Sequence, residues 1–292
     1  MADTTTERVE LGDRVRYDHP APRIARATLT RPDNGNLQDV RLFYQLDAAY
    51  RRAASDDSIS VFVLAAEGTD FSVGHDVEAL FGTEDMRQVT LEGGFTRKGI
   101  EGDMAWETEV FLELHWRWRN FPKPVVAAVQ GRVFAGGLMT VWPADLIVAS
   151  ENALFADPVT AFGIGHVEFF LHPWELGARK AKELLFTGET MTATEAKQVG
   201  MVNRVVALDS LESETLLLAE KIAARPTAGL RMAKKSVNQT LDIQGQWNAL
   251  QAAFSVHTLG HAHSRIAHQG AYIDPAGFAL TREIWGLPDT EV

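Results

Sequence analysis

Lys123-Pro-Val-Val-Ala-Ala-Val-Gln-Gly-Arg-Val-Phe-Ala-Gly-Gly-Leu138 is the stretch whose reading decides the fold. Its apolar run Val125 to Val129 predicts a strand buried on both faces, and Gly131 marks a sharp backbone turn after it. Gly136-Gly137 then opens an apolar segment with a helical pattern. Glycines there let a ligand approach the main chain, and the first N–H groups of a helix have no internal partner, so they can face negative charge. Gly136 is thus a candidate oxyanion donor. Alone, the pattern is better read as a strand-to-helix turn used only for packing.

A second turn of the same kind lies upstream. Val61-Phe-Val-Leu-Ala-Ala66 reads as another buried strand, followed by Gly68 and by Phe71-Ser-Val-Gly-His-Asp76, a tight turn entering a second helix. Two such turns, each behind a hydrophobic strand, can aim two N–H groups at one oxygen.

These residues resemble the crotonase superfamily, the enoyl-CoA hydratase/isomerase fold. Phe71 to Asp76 is similar to that family's first oxyanion motif, and Gly131-Arg-Val-Phe-Ala-Gly-Gly137 to its second. The match extends to Leu29-Thr-Arg-Pro32, to Ala144-Asp-Leu-Ile-Val-Ala-Ser150, and to Lys182-Glu-Leu-Leu-Phe-Thr-Gly188 with Gly200-Met-Val-Asn-Arg-Val-Val206. The resemblance implies an α/β fold, a crotonase-like spiral of ββα turns over residues 1–210. A C-terminal helical region, 211–292, would form trimer contacts. It also implies an acyl-CoA substrate, a homotrimer or hexamer, and no cofactor beyond the CoA of the thioester.

By resemblance, the oxyanion donors are the N–H groups of His75 and Gly136. Val73, Asp76 and Val77 flank the first donor, and the turn holding Asn34 and Leu37 would lie near the CoA adenine, although a solvated loop reads the same. The two glutamates used by hydratases of the family map onto Met139 and onto Val159, which follows Asp157-Pro158. Neither residue moves a proton, so the chain reads as a divergent member lacking both glutamates. Asp157, Pro158 and Val159 remain candidate substrate contacts, with Asp157 a candidate replacement acid or an ordinary turn-former. Asp76, at the mouth of a helix, reads as a cap for free N–H groups.

The loop Gly163-Ile-Gly-His-Val-Glu168-Phe-Phe-Leu-His-Pro173 offers the best substitutes. Glu168 and His166 sit among glycines and apolar residues, where burial raises a carboxyl pKa and lowers that of an imidazole. Three outcomes stay open: enolate chemistry at Glu168, hydrolysis or C–C cleavage with a histidine base, and an acyl-CoA-binding protein without catalysis.

The formal charge of -11 leaves no basic footprint for nucleic acid, and the absence of cysteine excludes thiol catalysis and Cys-based zinc sites. No apolar run approaches the roughly 20 residues of a membrane span, and the N-terminus has no signal-peptide layout, so a cytoplasmic protein is expected. His257, His261 and His263 include an i, i+4 pair, but without an HExxH arrangement or a nearby third ligand no metal is expected. They read instead as a polar helix face at a subunit contact.

Elsewhere, Leu42, Phe43, Leu46, Ala49, Tyr50 and Ala53 predict an amphipathic helix with Arg41, Asp47, Arg51 and Arg52 outside. Residues 77–104, with scattered glycines and charges, read as a mobile insertion. Trp106 to Trp118 reads as a core helix with its acids on one solvated face, although an amphipathic helix walling an acyl pocket would look the same. Thr192-Ala-Thr-Glu195 is a capping box whose helix ends at Gly200.

Overall fold

The computed structural model describes residues 9–10, 12–77 and 85–285. β1 (Val9–Glu10), β2 (Val15–Ala21) and β3 (Ile24–Leu29) form an antiparallel meander. α1 (Val40–Ser55) follows, with the Asp39 side chain accepting the Leu42 N–H at its start. Beyond it lie β4 (Val61–Ala66), α2 (Ile100–Glu107), one π-helical segment (Thr108–Glu113) and α3 (Leu114–Arg119). The central stretch supplies β5 (Val125–Val129), β6 (Arg132–Phe134) and α4 (Gly136–Val141). Next come β7 (Leu146–Ser150), β8 (Leu154–Ala156), α5 (His172–Thr187), β9 (Met191–Thr192), α6 (Ala193–Val199) and β10 (Arg204–Val206). Four helices close the chain: α7 (Leu211–Ala223), α8 (Thr227–Ile243), α9 (Gln246–Ala267) and α10 (Pro275–Trp285).

The main sheet runs β1-β2-β3-β4-β5-β7-β10 and is parallel from β3 onward. A smaller sheet, β6-β8-β9, pairs β6 with β8 in parallel. The main sheet is buried on both faces, which is why β4 and β5 read as unbroken apolar runs. Alternate side chains divide between two cores: Val61, Val63, Val126, Ala128 and Val148 meet Leu211, Leu218 and Ala219 of α7 on one face. Phe62, Leu64, Val125, Ala127 and Val129 face α1 and the π-helical segment on the other. α7 therefore closes the back of the sheet rather than standing apart from it.

The capping box is present, with Thr192 accepting from the Glu195 N–H and Gly200 at φ 94 as the left-handed cap. Three sequence expectations are corrected. Asp47 is not outside: it is fully buried, accepting Trp118 Nε1–H at 3.1 Å and pairing with Arg51 and Arg117. The acids of the Trp106–Trp118 segment are not on a solvated face, because Glu107 and Glu109 are both buried. Residues 78–84 lie outside the described residues, but the supposed mobile insertion is tied down between Asp85 and Thr90. Glu109 accepts the N–H groups of Val89 and Thr90, and helix α2 begins at Ile100.

Candidate active site

Two main-chain turns meet where the parallel strands end. The first, Phe71 to Asp76, is held on both sides by single parallel bridges, Gln38 with His75 and Ser72 with Val133. On one side Gln38 N–H donates to the Gly74 carbonyl and Asp76 N–H to the Gln38 carbonyl, both at 2.9 Å. On the other, Ser72 N–H donates to the Arg132 carbonyl and Phe134 N–H to the Ser72 carbonyl. This pattern skips the His75 N–H. In the second turn Ala135 N–H donates to the Ala156 carbonyl, while Gly136 is the first residue of α4, whose opening N–H groups have no partner within the helix. Among the described residues, neither the His75 nor the Gly136 N–H meets an acceptor.

The turns touch. A side-chain carbon added to Gly74, at φ 109, would lie 3.6 Å from the Gly136 nitrogen, and one added to Gly136 would lie 2.3 Å from His75 Cδ2. Ala135 takes φ 46 and ψ -110, a conformation that side chains disfavour, and so stores strain immediately before Gly136. The turn of Asn34 to Leu37 lies against the first: Val73 N–H donates to the Gly35 carbonyl. Asp76 pairs with Arg31 at 3.6 Å.

Behind the turns is a buried group of acids and imidazoles. The His75 ring stacks on Phe111 with centroids 4.5 Å apart, and its Nδ1 lies 3.8 Å from Glu168 Oε1. Glu168 Oε1 is in turn 3.5 Å from His257 Nε2, and Glu107 Oε1 is 3.7 Å from His257 Nε2 and 3.2 Å from His261 Nε2. These contacts are longer than charge-assisted hydrogen bonds of about 2.7–2.9 Å. The two Nε2 atoms are 2.8 Å apart. Each ring is fixed from behind, His257 Nδ1 on the His166 carbonyl at 2.6 Å and His261 Nδ1 on the Tyr272 carbonyl at 2.9 Å.

Burial and charge oppose each other here. Burial raises the Glu168 pKa, with His75 and His257 pulling the other way. At His257 burial disfavours the cation, but Glu168 and Glu107 outweigh it and lift the ring to about 9. Burial lowers His75. His166, lowered to about 4 mainly by burial, does not join the group through its ring, which packs on Phe170 with Nδ1 at 2.8 Å from the Val167 carbonyl. It serves through its own carbonyl.

Asp157 is engaged by its own neighbours. It is fully buried, 2.8 Å from His172 Nε2, and accepts from the Val159 and Val167 N–H groups. Pro158 caps the short 3₁₀ turn that carries Val159, and Met139 and Val159 are both buried. Val77 is the last described residue before position 85. His257 and His261 are not on an outer polar face; both are 3% exposed and point into the chain, whereas His263 is exposed. Of their partners, Glu168 is a carboxylate the sequence reading named, and Glu107 is one it missed. The available signal was the stripe Leu250, Phe254, His257, His261 and Ser264, whose 3- and 4-residue spacings place both histidines on the buried face of α9.

The sequence profile of the enoyl-CoA hydratase/isomerase family matches residues 21–272. The chain belongs to the enoyl-CoA hydratase/isomerase family. The inferred enoyl-CoA hydratase EchA13 of Mycobacterium tuberculosis is 42% identical over 251 residues, covering 82% of this chain and 78% of that protein. A probable enoyl-CoA hydratase of Mycobacterium smegmatis has a crystal structure that superposes with a TM-score of 0.80 at 46% identity, over 89% of this chain and 98% of that one. One from Mycobacterium thermoresistibile gives 0.81 at 47% identity with the same coverage. Membership in the enoyl-CoA hydratase/isomerase family accounts for the mixed α/β fold and the order of the motifs along the chain.

Proposed function

We propose that this chain binds an acyl-CoA thioester and stabilises the enolate formed from it, the N–H groups of His75 and Gly136 both donating to the thioester oxygen. The observation that carries this reading is the pair of touching turns, the first bonded through every amide but that of His75 and the second opening a helix at the unbonded amide of Gly136. Removing one donor of this kind costs about 2.7–4 kcal/mol of transition-state stabilisation, so two supply much of a rate enhancement. The names of the relatives support an enoyl-CoA as the substrate.

Glu168 is the carboxylate beside the first turn, and we assign to it the proton taken from, or returned to, carbon near the thioester carbonyl. With Met139 and Val159 in place of the family's glutamates, a reaction needing one proton carrier fits better than one needing two. Double-bond migration is such a reaction: Glu168 removes a proton from one carbon and returns it to another. The exposed Met232, Val237 and Ile243 of α8 support a further part of the proposal, a homotrimer or a pair of trimers assembled through the C-terminal helices.

Incubation with enoyl- and acyl-CoA esters in heavy water tests the reading. Deuterium should enter the carbon next to the carbonyl, and Glu168→Gln should abolish the exchange while leaving ester binding intact. A protein that binds the esters and exchanges no hydrogen is not an enolate-forming enzyme. Thioester cleavage surviving in Glu168→Gln would also rule out the assignment.

A further inference from the structure

We propose that Glu107, Glu168, His257 and His261 form a site for one divalent transition-metal cation of the zinc class. Four observations carry it. First, the four donor atoms lie within 4.8 Å of one another, and the four side chains are buried. The three carboxylate–imidazole separations of 3.2, 3.5 and 3.7 Å bracket the edge of a tetrahedron around zinc, about 3.4 Å for ligand bonds near 2.1 Å, while the two imidazoles stand closer, at 2.8 Å. Groups paired with each other would sit closer.

Second, the tautomers are settled by the partners. A carbonyl only accepts, so the bonds from His257 Nδ1 to the His166 carbonyl and from His261 Nδ1 to the Tyr272 carbonyl place a proton on each Nδ1. In the neutral rings both Nε2 atoms then carry lone pairs, facing each other at 2.8 Å. Something positive has to lie between them. Holding the far nitrogen on a main-chain carbonyl is also how proteins orient metal-ligating imidazoles.

Third, a proton alone leaves the site unfinished. It satisfies the line between the two rings and the Glu107 oxygen beside them, while Oε2 of Glu107 and Oε2 of Glu168 remain buried without a hydrogen-bond partner. Two carboxylates and two neutral imidazoles carry a charge of -2, which one proton halves and one divalent cation cancels. Unpaired buried carboxylates are costly, so the cation resolves both the geometry and the charge.

Fourth, the scaffold is stiff. Arg265, one turn beyond His261, forks onto Asp103, one turn before Glu107, at 2.8 and 3.0 Å, locking α9 to α2. Tyr272 stacks on the His261 ring, and the π-helical turn begins directly after Glu107, an irregularity often found at functional sites. Bringing the cation in requires the two Nε2 atoms to part by about half an ångström to reach tetrahedral spacing. Glu168 would take the fourth position through Oε1 and keep Oε2 for the proton role assigned above. The site is thus one side chain removed from the acyl space, but it does not depend on the oxyanion reading.

The whole chain, freed of metal by chelator and titrated with Zn2+ and separately with Co2+, tests the site by metal content and by the visible absorption of bound Co2+. One cation per chain is expected, with a low-coordination Co2+ spectrum. His257→Gln and His261→Gln should abolish binding, and Glu107→Gln should weaken it at least about tenfold, as even outer-shell losses do. His263→Gln, on the exposed face of the same helix, should bind like the wild type. Zn2+ should also raise the melting temperature of the wild-type chain, a readout that stands even where a variant does not fold. A folded wild-type chain that takes up no stoichiometric Zn2+ or Co2+ and gains no melting temperature overturns the site, and so does binding that persists unchanged in His257→Gln and His261→Gln. Metal uptake decides the site whatever the fate of the thioester chemistry, which hydrogen exchange decides separately.

Discussion

Replacing Gly136 by alanine tests the joint placement of the two turns. The new carbon would stand 2.3 Å from His75 Cδ2, 2.4 Å from His75 Nε2 and 2.6 Å from Gln38 Oε1, all well inside van der Waals contact. To reach about 3.4 Å, an ordinary carbon contact, something must yield by roughly 1 Å. Retreat of the imidazole is opposed by Phe111, stacked on it at 4.5 Å with the ring planes nearly parallel, and Gln38 is tethered by its Nε2 to Thr140 Oγ1 at 2.9 Å. The Gly136 amide is therefore expected to take part of the shift. Overpacking of this kind costs about 1–3 kcal/mol of stability. A reactive group misplaced by about 1 Å loses about 100-fold, and an oxyanion donor lost outright about 100- to 1,000-fold in rate.

The assay is kcat/KM on an enoyl-CoA ester, with circular dichroism to establish folding. Gly165→Ala provides the control, since nothing lies within 4 Å of a carbon added there. A folded Gly136→Ala enzyme with the wild-type kcat/KM would refute the meeting of two amides at one oxygen, whatever became of the neighbouring acids.

Two further outcomes follow from single residues. Ala135→Gly should stabilise the fold or leave it unchanged, because relief of strain worth about 1–3 kcal/mol offsets the added freedom of glycine in the unfolded chain at about 0.4–1 kcal/mol; urea denaturation reads it, and a clear loss of stability would show that Ala135 is unstrained. His115, buried against Phe43, Trp118 and Phe169, is pushed down to about 3, chiefly by burial. A depressed imidazole stays neutral in the fold, so its contribution to stability is present above the unfolded value near 6.5 and is lost as pH falls below it. Between pH 7 and pH 5 that loss is about 2 kcal/mol, and His115→Phe should remove that part of the slope in denaturation curves taken across the interval.

The sequence exposes the parts of this molecule whose physics is local. Val125 to Val129 and Val61 to Ala66 are apolar without alternation because both sheet faces are covered, and Thr192, Glu195 and Gly200 name the two ends of one helix by hydrogen-bonding capacity and backbone freedom alone. The acids were not legible in the same way. Glu107 and Glu109 flank or occupy a segment wound at more residues per turn than an α-helix, so a 3.6-residue wheel drawn through Trp106 to Trp118 assigns them to the wrong side. Asp47 is drawn inward by Trp118, Arg51 and Arg117, of which only Arg51 is near it in sequence. The four members of the buried acid and imidazole group come from α2, the 163–171 loop and α9, and no spacing rule connects residues that far apart.

What joins these pieces is the direction of the strands. β4 and β5 run parallel, so the turn that follows each leaves the same edge of the sheet, where ligands of parallel sheets collect. The first turn is then clasped between Gln38 and the β6 strand by bridges that use every second residue, and a parallel bridge necessarily leaves the intervening N–H, that of His75, pointing elsewhere. The second turn leaves Gly136 without a partner for a different reason, since it begins a helix. Two independent rules of backbone hydrogen bonding thus produce two unpaired donors side by side, and the strain held at Ala135 is the energetic mark of bringing the second one into place.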